Sequence, residues 1–233
     1  PTIDEIVPST GVFNGTLNAE KAINYELGFR SELIKNKLFA DAAAYLFHLN
    51  NTIVTRRDAS GADYFVNTGK TDQRGIELSI NYYPIRNSFH FLQELKLWGN
   101  YTYIRARFKN YQQLTSDFSG NKLTGTPPNV VVVGADANTH IGVYANVTYS
   151  YTDQVPLNDA NGFFATQYNL LFSRVGYKKA FGKKMDGEIY ISYNHSFNTP
   201  YSLGNDLNAA GNRFFNPSAP QSFLVGIKMQ LHL

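Results

Sequence analysis

Three segments of this chain alternate apolar and polar residues with a period of two over roughly ten residues, a length that crosses a bilayer as a strand and exceeds the usual soluble strand of about five or six. The first sets Ile23, Tyr25, Leu27 and Phe29 against Asn24, Glu26, Gly28 and Arg30. The second sets Ile76, Leu78, Ile80 and Tyr82 against Gly75, Glu77, Ser79 and Asn81. The third and cleanest sets Ile141, Val143, Ala145, Val147, Tyr149 and Tyr151 against Gly142, Tyr144, Asn146, Thr148 and Ser150. Each segment reads as a strand with one greasy and one polar face.

Extending the same reading predicts about nine strands, at 21–33, 38–55, 65–83, 94–105, 129–138, 141–152, 166–178, 188–197 and 221–233. Residues 42–46 of the second are apolar on both parities, so the period leaves its phase open. The last alternates Phe223, Val225, Ile227, Met229, Leu231 and Leu233 with Ser222, Gly226, Lys228, Gln230 and His232. Short connections at 35–37, 84–91, 138–140 and 180–187 interleave with longer ones at 56–63, 106–127, 152–164 and 198–219, and residues 1–19, rich in Thr, Ser, Asn and Gly, read as the end of a further long loop. Short turns at one end and long loops at the other are the pattern of an antiparallel transmembrane β-barrel of the bacterial outer membrane. The rival is a soluble β-sandwich, whose strands also alternate; strand length and loop alternation favour the barrel.

Composition agrees. Charged residues make up only 17% of the chain, and 16 Tyr and 17 Phe against one Trp supply rings suited to a bilayer boundary. The chain has no cysteine, so neither disulfides nor thiolate metal sites enter. A net charge of +3 carried on scattered Lys and Arg gives no footprint for nucleic acid. The longest apolar run, 130–135, is too short for a membrane helix, and the start at Pro1 has no signal-peptide pattern, so the mature chain or a piece of it is expected.

Four segments carry a family resemblance. Residues 20–30 contain an Asn-x-Glu-x-Gly core at Asn24, Glu26 and Gly28; Val66-Asn67-Thr68-Gly69 leads to Arg74-Gly75-Ile76-Glu77-Leu78; then come Gly125-Thr126-Pro127-Pro128-Asn129 and residues 194–201, Asn-His-Ser-Phe-Asn-Thr-Pro-Tyr. With the closing stretch 219–227, these resemble, in order, the barrel of TonB-dependent outer-membrane receptors. A departure is Leu233, where that family usually ends on an aromatic ring. The resemblance implies a barrel of twenty-two strands around an amino-terminal plug, importing scarce nutrients such as ferric siderophores with energy relayed by TonB. This chain would supply the carboxy-terminal strands, without plug. Nine strands alone would leave two bare edges in hydrocarbon, so the remaining strands and the plug are expected from a longer protein or from a partner chain.

Candidate chemistry follows the two faces and the loops. No Gly-x-Ser-x-Gly, P-loop or paired-carboxylate pattern appears, and His48, His90, His140, His195 and His232 are scattered, so no catalytic residue, metal site or cofactor is expected. Glu26, Glu77, Arg30, Arg74 and Arg174 are expected on the polar face as lumen ion pairs. The loops carry Arg56, Arg57, Tyr64, Arg107, Tyr111, Phe163, Phe164, Tyr201, Arg213, Phe214 and Phe215, guanidinium forks and ring faces suited to an anionic chelate. The alternative for the same residues is arginines on lipopolysaccharide phosphate and rings in the interfacial girdle. Lys35, Lys37, Lys178, Lys179, Lys183 and Lys184 read as solvated turn residues. The leading functional expectation is an uptake receptor in contact with outer-membrane lipid and lipopolysaccharide, with TonB reached through the plug. A passive porin or adhesion barrel is the runner-up, and a barrel enzyme the third.

Overall fold

The structure, a computed structural model, describes residues 1–233 except Ala59, Leu114, Lys183, Ser196, Asn198, Thr199, Pro220 and Leu233, and for Arg57 and Leu203 it describes the backbone alone. The expectations placed on the Arg57 side chain, on Lys183, on Ser196, Asn198, Thr199 and Pro220 within the family-like segments, and on Leu233 therefore lie outside the described residues.

Nine strands form one antiparallel sheet in which each pairs with its neighbours along the chain. They are β1 (Lys21–Ile34), β2 (Leu38–Asn50), β3 (Lys70–Ile85), β4 (Leu92–Asn110), β5 (Asn129–Thr139), β6 (Val143–Thr152), β7 (Tyr168–Phe181), β8 (Met185–His195) and β9 (Gln221–Leu231). Consecutive hairpins give this up-and-down order, because strands joined by tight turns pair with each other. The turns that close one end use left-handed residues, Asn36 at φ 58° and Gly142 at φ 92°. A side chain at Gly142 would also run into the Lys178 carbonyl. No helix among the described residues is long and apolar enough to cross a membrane.

Register settles the face of every strand. On one side lie Tyr25, Leu27 and Phe29 of β1, Ile76, Leu78 and Ile80 of β3, Val175 of β7, Ile189 and Ile191 of β8, and Val225, Ile227 and Met229 of β9. Leu27 is 79% exposed and Ile227 72%. Side chains of this kind left uncovered along a whole sheet face require an apolar solvent in place of a protein core. The ambiguous β2 is fixed by its partners: Asp41 stands opposite Arg30 and Ser79, while Ala40, Ala42 and Ala44 stand opposite Ile80, Leu78 and Ile76. Ala40, Ala42 and Ala44 therefore belong to the apolar face, and Ala43, opposite Gly28 and Glu77, to the polar one.

Three expectations change. Arg74 belongs to the apolar face, opposite Leu46 and Arg105, and not to the lumen face with Glu77. Three positions separate it from Glu77, and a period of two sends such residues to opposite sides. The strands expected at 38–55 and 65–83 break at Asn50 and Lys70, with a separate hairpin, Ile53–Arg57 against Asp63–Asn67, between them. Asn51, at φ 56°, turns the chain and donates its N–H to the Gly69 carbonyl at 2.8 Å. The hairpin continues the alternation, so the sequence hides the break. Finally, β4 runs to Asn110, because its end packs on the following loop: Phe108 N donates to Asn121 O and Leu123 N to Ala106 O, both at 3.0 Å.

The polar face has a repeated packing device. Tyr45, Trp98, Tyr144 and Tyr190 each lie across a glycine on the adjacent strand, Gly75, Gly134, Gly176 and Gly226 respectively. A Cβ on any of these glycines would meet the facing ring closer than 3.0 Å. The ring covers the glycine backbone and pins the register of each pair. Gly226→Val is expected to lower the unfolding free energy by about 1–3 kcal/mol through this collision, read by urea titration of the refolded barrel. Adding Tyr190→Gly removes the ring and is expected to recover part of the loss.

Candidate functional site

The protein's own apolar core lies in the loops. Val155, Leu157, Ala165, Ala209 and Phe214 pack together with Leu207 against them. These residues come from the connection between β6 and β7 and from the one between β8 and β9. Short strand pairs stiffen both connections, Val155–Pro156 with Phe164–Ala165 and Ser202–Asn205 with Phe215–Pro217. The Leu157 N–H bonds to Phe163 O, and Asn208 N donates to Leu157 O, each at 2.9 Å. Burial of several apolar side chains here is what lets long loops hold one shape.

Asp159 ties all four long connections together. One carboxylate oxygen lies 2.6 Å from Arg56 Nη2, and the pair is almost sealed, with side chains 7% and 1% exposed. Arg56 belongs to the hairpin between β2 and β3. The other oxygen accepts from Thr124 Oγ1, in the connection between β4 and β5, and from Asn208 Nδ2 at 3.2 Å. Asn208 also accepts from the Asp159 N–H at 3.0 Å and donates to Thr55 O at 3.3 Å. Asn121 Nδ2 donates to the Asp159 carbonyl at 2.7 Å, and Asn161 bonds both the N–H and the carbonyl of Lys122. The Thr124 and Asn208 bonds satisfy Asp159 Oδ1, while Arg56 Nε and Nη2 and Asp159 Oδ2 are buried with no hydrogen-bond partner among the described residues, so the pair is held by its charge contact. The amino-terminal segment joins the same layer, with Asn14 Nδ2 bonded to Phe65 O at 2.8 Å and Asn67 Nδ2 to Asn18 O at 3.0 Å.

The loop residues expected to hold a ligand separate into two groups. Arg56, Tyr111 and Phe214 are buried, at 6%, 2% and 2% exposure. Arg56 faces Asp159 and lies 5.4 Å over the Tyr111 ring, Tyr111 packs at a tilt on Phe108 with ring centroids 4.9 Å apart, and Phe214 fills the loop core. These three build the loop layer and are withdrawn from a ligand. Arg107 sits within β4, on the apolar side, and donates to Gly120 O. Tyr64 is half-buried opposite Arg56 in the hairpin. Phe164 is half-buried under Lys122, whose Nζ lies 5.4 Å from its ring, and Tyr201 stacks on Tyr168 at 5.3 Å. The surface keeps Phe163, Arg213 and Phe215: the two rings are 43% and 56% exposed and flank the buried Phe214 at 5.2 and 6.4 Å, and Arg213, the residue before Phe214, is exposed as well.

On the polar face, Glu26, Glu77, Arg30 and Arg174 do not pair with one another. Arg30 bonds Asp41, which the sequence reading did not single out. Arg174 Nε donates to Ser192 Oγ at 2.9 Å, and its guanidinium lies 4.3 Å from the Tyr190 ring centroid. Glu26 accepts from Asn24 at 3.4 Å. Two histidines have carboxylate partners from other strands: His48 lies 2.7 Å from Asp72, and His232 lies 2.8 Å from Asp186. Asp159, Asn208, Thr124 and Asn161 carried no signal in the sequence beyond being polar loop residues; only the meeting of distant loops gives them a role.

A family model described as TonB dependent receptor-like, beta-barrel matches residues 1–185. No curated protein matches the chain by sequence. Among solved structures, the siderophore receptor PiuA from Acinetobacter baumannii is similar with a TM-score of 0.67 at 16% identity, over 95% of this chain and 30% of that one. The ferric-catecholate import receptor Fiu from E. coli K12 gives 0.64 at 17% identity, over 94% and 29%. The copper transporter OprC gives 0.69 at 14% identity, over 100% and 35%. At these identities the likeness is one of fold, and it extends past residue 185 over the last strands. The chain spans about a third of the length of these structures. With its sheet of nine strands and the family match over most of its length, the chain belongs to the TonB-dependent receptor-like β-barrel family.

Proposed function

We propose that this chain forms the carboxy-terminal wall of an outer-membrane uptake receptor whose cargo is a ferric siderophore or a similar anionic chelate. One observation carries the reading: two long connections share a buried core, Asp159 joins all four through a buried ion pair and its hydrogen bonds, and the layer leaves two rings and a guanidinium, Phe163, Phe215 and Arg213, at its surface. Rings give faces for a flat chelate, and the fork bonds carboxylate or catecholate oxygen. A preformed surface of this kind loses little freedom on capture. The family is one of receptors and transporters, which is why uptake is preferred over a passive pore, an adhesin or a barrel enzyme.

The remaining strands and the plug belong to the same assembly in this reading. Among the described residues β1 pairs only with β2, and β9 only with β8. In hydrocarbon both outer edges need partners, since each unpaired backbone group there costs several kcal/mol. Residues 1–19 then form the end of an extracellular loop, the long connections face outward, lipid and lipopolysaccharide surround the apolar face, and TonB acts through the plug.

Two outcomes are expected of the full-length receptor. Arg213→Gln combined with Phe215→Ala weakens ferric-chelate binding by about tenfold or more, the effect of losing anchors near the centre of a contact, measured by titration against fluorescence or radiolabelled iron. Iron uptake by cells is abolished by a protonophore; ligand-independent ohmic conductance through the reconstituted receptor would contradict the reading. Separately, Asp159→Ala leaves Arg56 buried and unpaired and is expected to destabilise the loop layer by about 3–5 kcal/mol. Hydrogen exchange would show it as lost protection in all four connections together, with the strands unchanged. Loss confined to the connection that carries Asp159 would refute its role as their common tie.

A further inference from the structure

Arg74 and Arg105 stand directly opposite each other on β3 and β4, on the apolar side of the sheet. Like charges so placed repel, and among the described residues neither guanidinium has a carboxylate partner. The carboxylate beside them, Asp72, is already engaged, with Lys109 Nζ at 2.6 Å and His48 Nδ1 at 2.7 Å. The groove these groups line, about 420 Å³, holds Arg74, Arg105, Arg107 and Lys109 against Asp72 alone. Four permanent cations facing one carboxylate leave an excess of positive charge that an anion would neutralise.

Toward the turn end the same face becomes apolar at once. The next pair on this face is Ile76 with Tyr103. A second groove, about 490 Å³, begins at Arg74 and continues between Tyr25, Leu27, Ile76 and Tyr103 over Ala44. Its floor is low because Ala44 of β2 lies between Leu27 on one side and Ile76 on the other. A cationic groove thus opens onto a trough floored by Ala44.

We propose that this surface is a binding site for a phosphorylated acyl lipid of the outer leaflet, with phosphate on the Arg74–Arg105 pair and an acyl chain in the trough. A guanidinium fork matches two phosphate oxygens, and two opposed forks are stabilised by one bridging anion. The trough supplies apolar contact that a soluble anion cannot use. The site rests on the membrane placement proposed above and is independent of the cargo.

The test uses the full-length receptor, delipidated in detergent and titrated with bisphosphoryl lipid A under native mass spectrometry. The wild type is expected to retain lipid A in preference to phosphatidylcholine, and millimolar inorganic phosphate is not expected to displace it. Arg74→Gln with Arg105→Gln is expected to weaken retention about tenfold or more, as loss of bonds to a charged group does. Ala44→Phe fills the trough without touching a charge and is expected to weaken it as well. Heat-modifiable gel migration verifies that each variant is folded. Equal retention by the arginine variants, equal retention of phosphatidylcholine, or displacement by inorganic phosphate alone would overturn the proposal. Chelate binding is read on the same samples: its absence in the wild type sinks the uptake reading and leaves the lipid result standing.

Discussion

The sheet of this chain follows from satisfying backbone hydrogen bonds where no water is available. In hydrocarbon an extended segment has no partner for its N–H and C=O groups except another strand, so the ladder must be continuous across the apolar band. The nine strands meet that demand with nearly unbroken antiparallel pairing, interrupted by shifts near strand ends such as Glu32–Ile34 and Tyr82–Ile85. Once the ladder is fixed, the pleat sends alternate side chains to lipid and to the lumen, and the identity of each side chain follows from its parity.

The two ends and two faces are then stabilised by different physics. The apolar face needs no tight packing, and its side chains need only be greasy. The polar face relies on rings seated over glycines and on local polar bonds such as Trp98 Nε1 to Asp136 at 3.0 Å. The loops, outside the bilayer, behave as a small soluble domain: they have a buried core, and a desolvated ion pair between Arg56 and Asp159 selects one arrangement of four connections. Buried charge adds little stability there but much specificity, since any other arrangement leaves one partner unpaired.

The strands were legible because lipid and lumen impose opposite chemistry on successive residues. Legibility fails where one parity loses contrast. In β2 the lumen side carries Ala43, Tyr45 and Phe47 and the lipid side Ala42, Ala44 and Leu46, so only pairing with β1 and β3 tells them apart. Arg74 is a cation on the apolar side, and chemistry alone assigns it to the lumen; its register does not. The hairpin between β2 and β3 escapes notice because it keeps the same alternation after a single left-handed asparagine, Asn51. The loop site was the least legible part. Arginines and rings could be named, but whether Arg56, Tyr111 and Phe214 face solvent or a core depends on contacts between residues as far apart as Thr55 and Asn208.

In this placement the apolar face of the sheet touches lipid and the opposite face touches water. The chain has no cysteine, so in it single labels can be placed one at a time along β9. Nitroxides at successive positions from Leu224 to Met229, in the receptor reconstituted in bilayers, should alternate: oxygen reaches Val225, Ile227 and Met229, while a water-soluble relaxation agent reaches Leu224, Gly226 and Lys228. Uniform accessibility, or protection of Val225, Ile227 and Met229 from both agents as in a packed protein interior, would contradict the account.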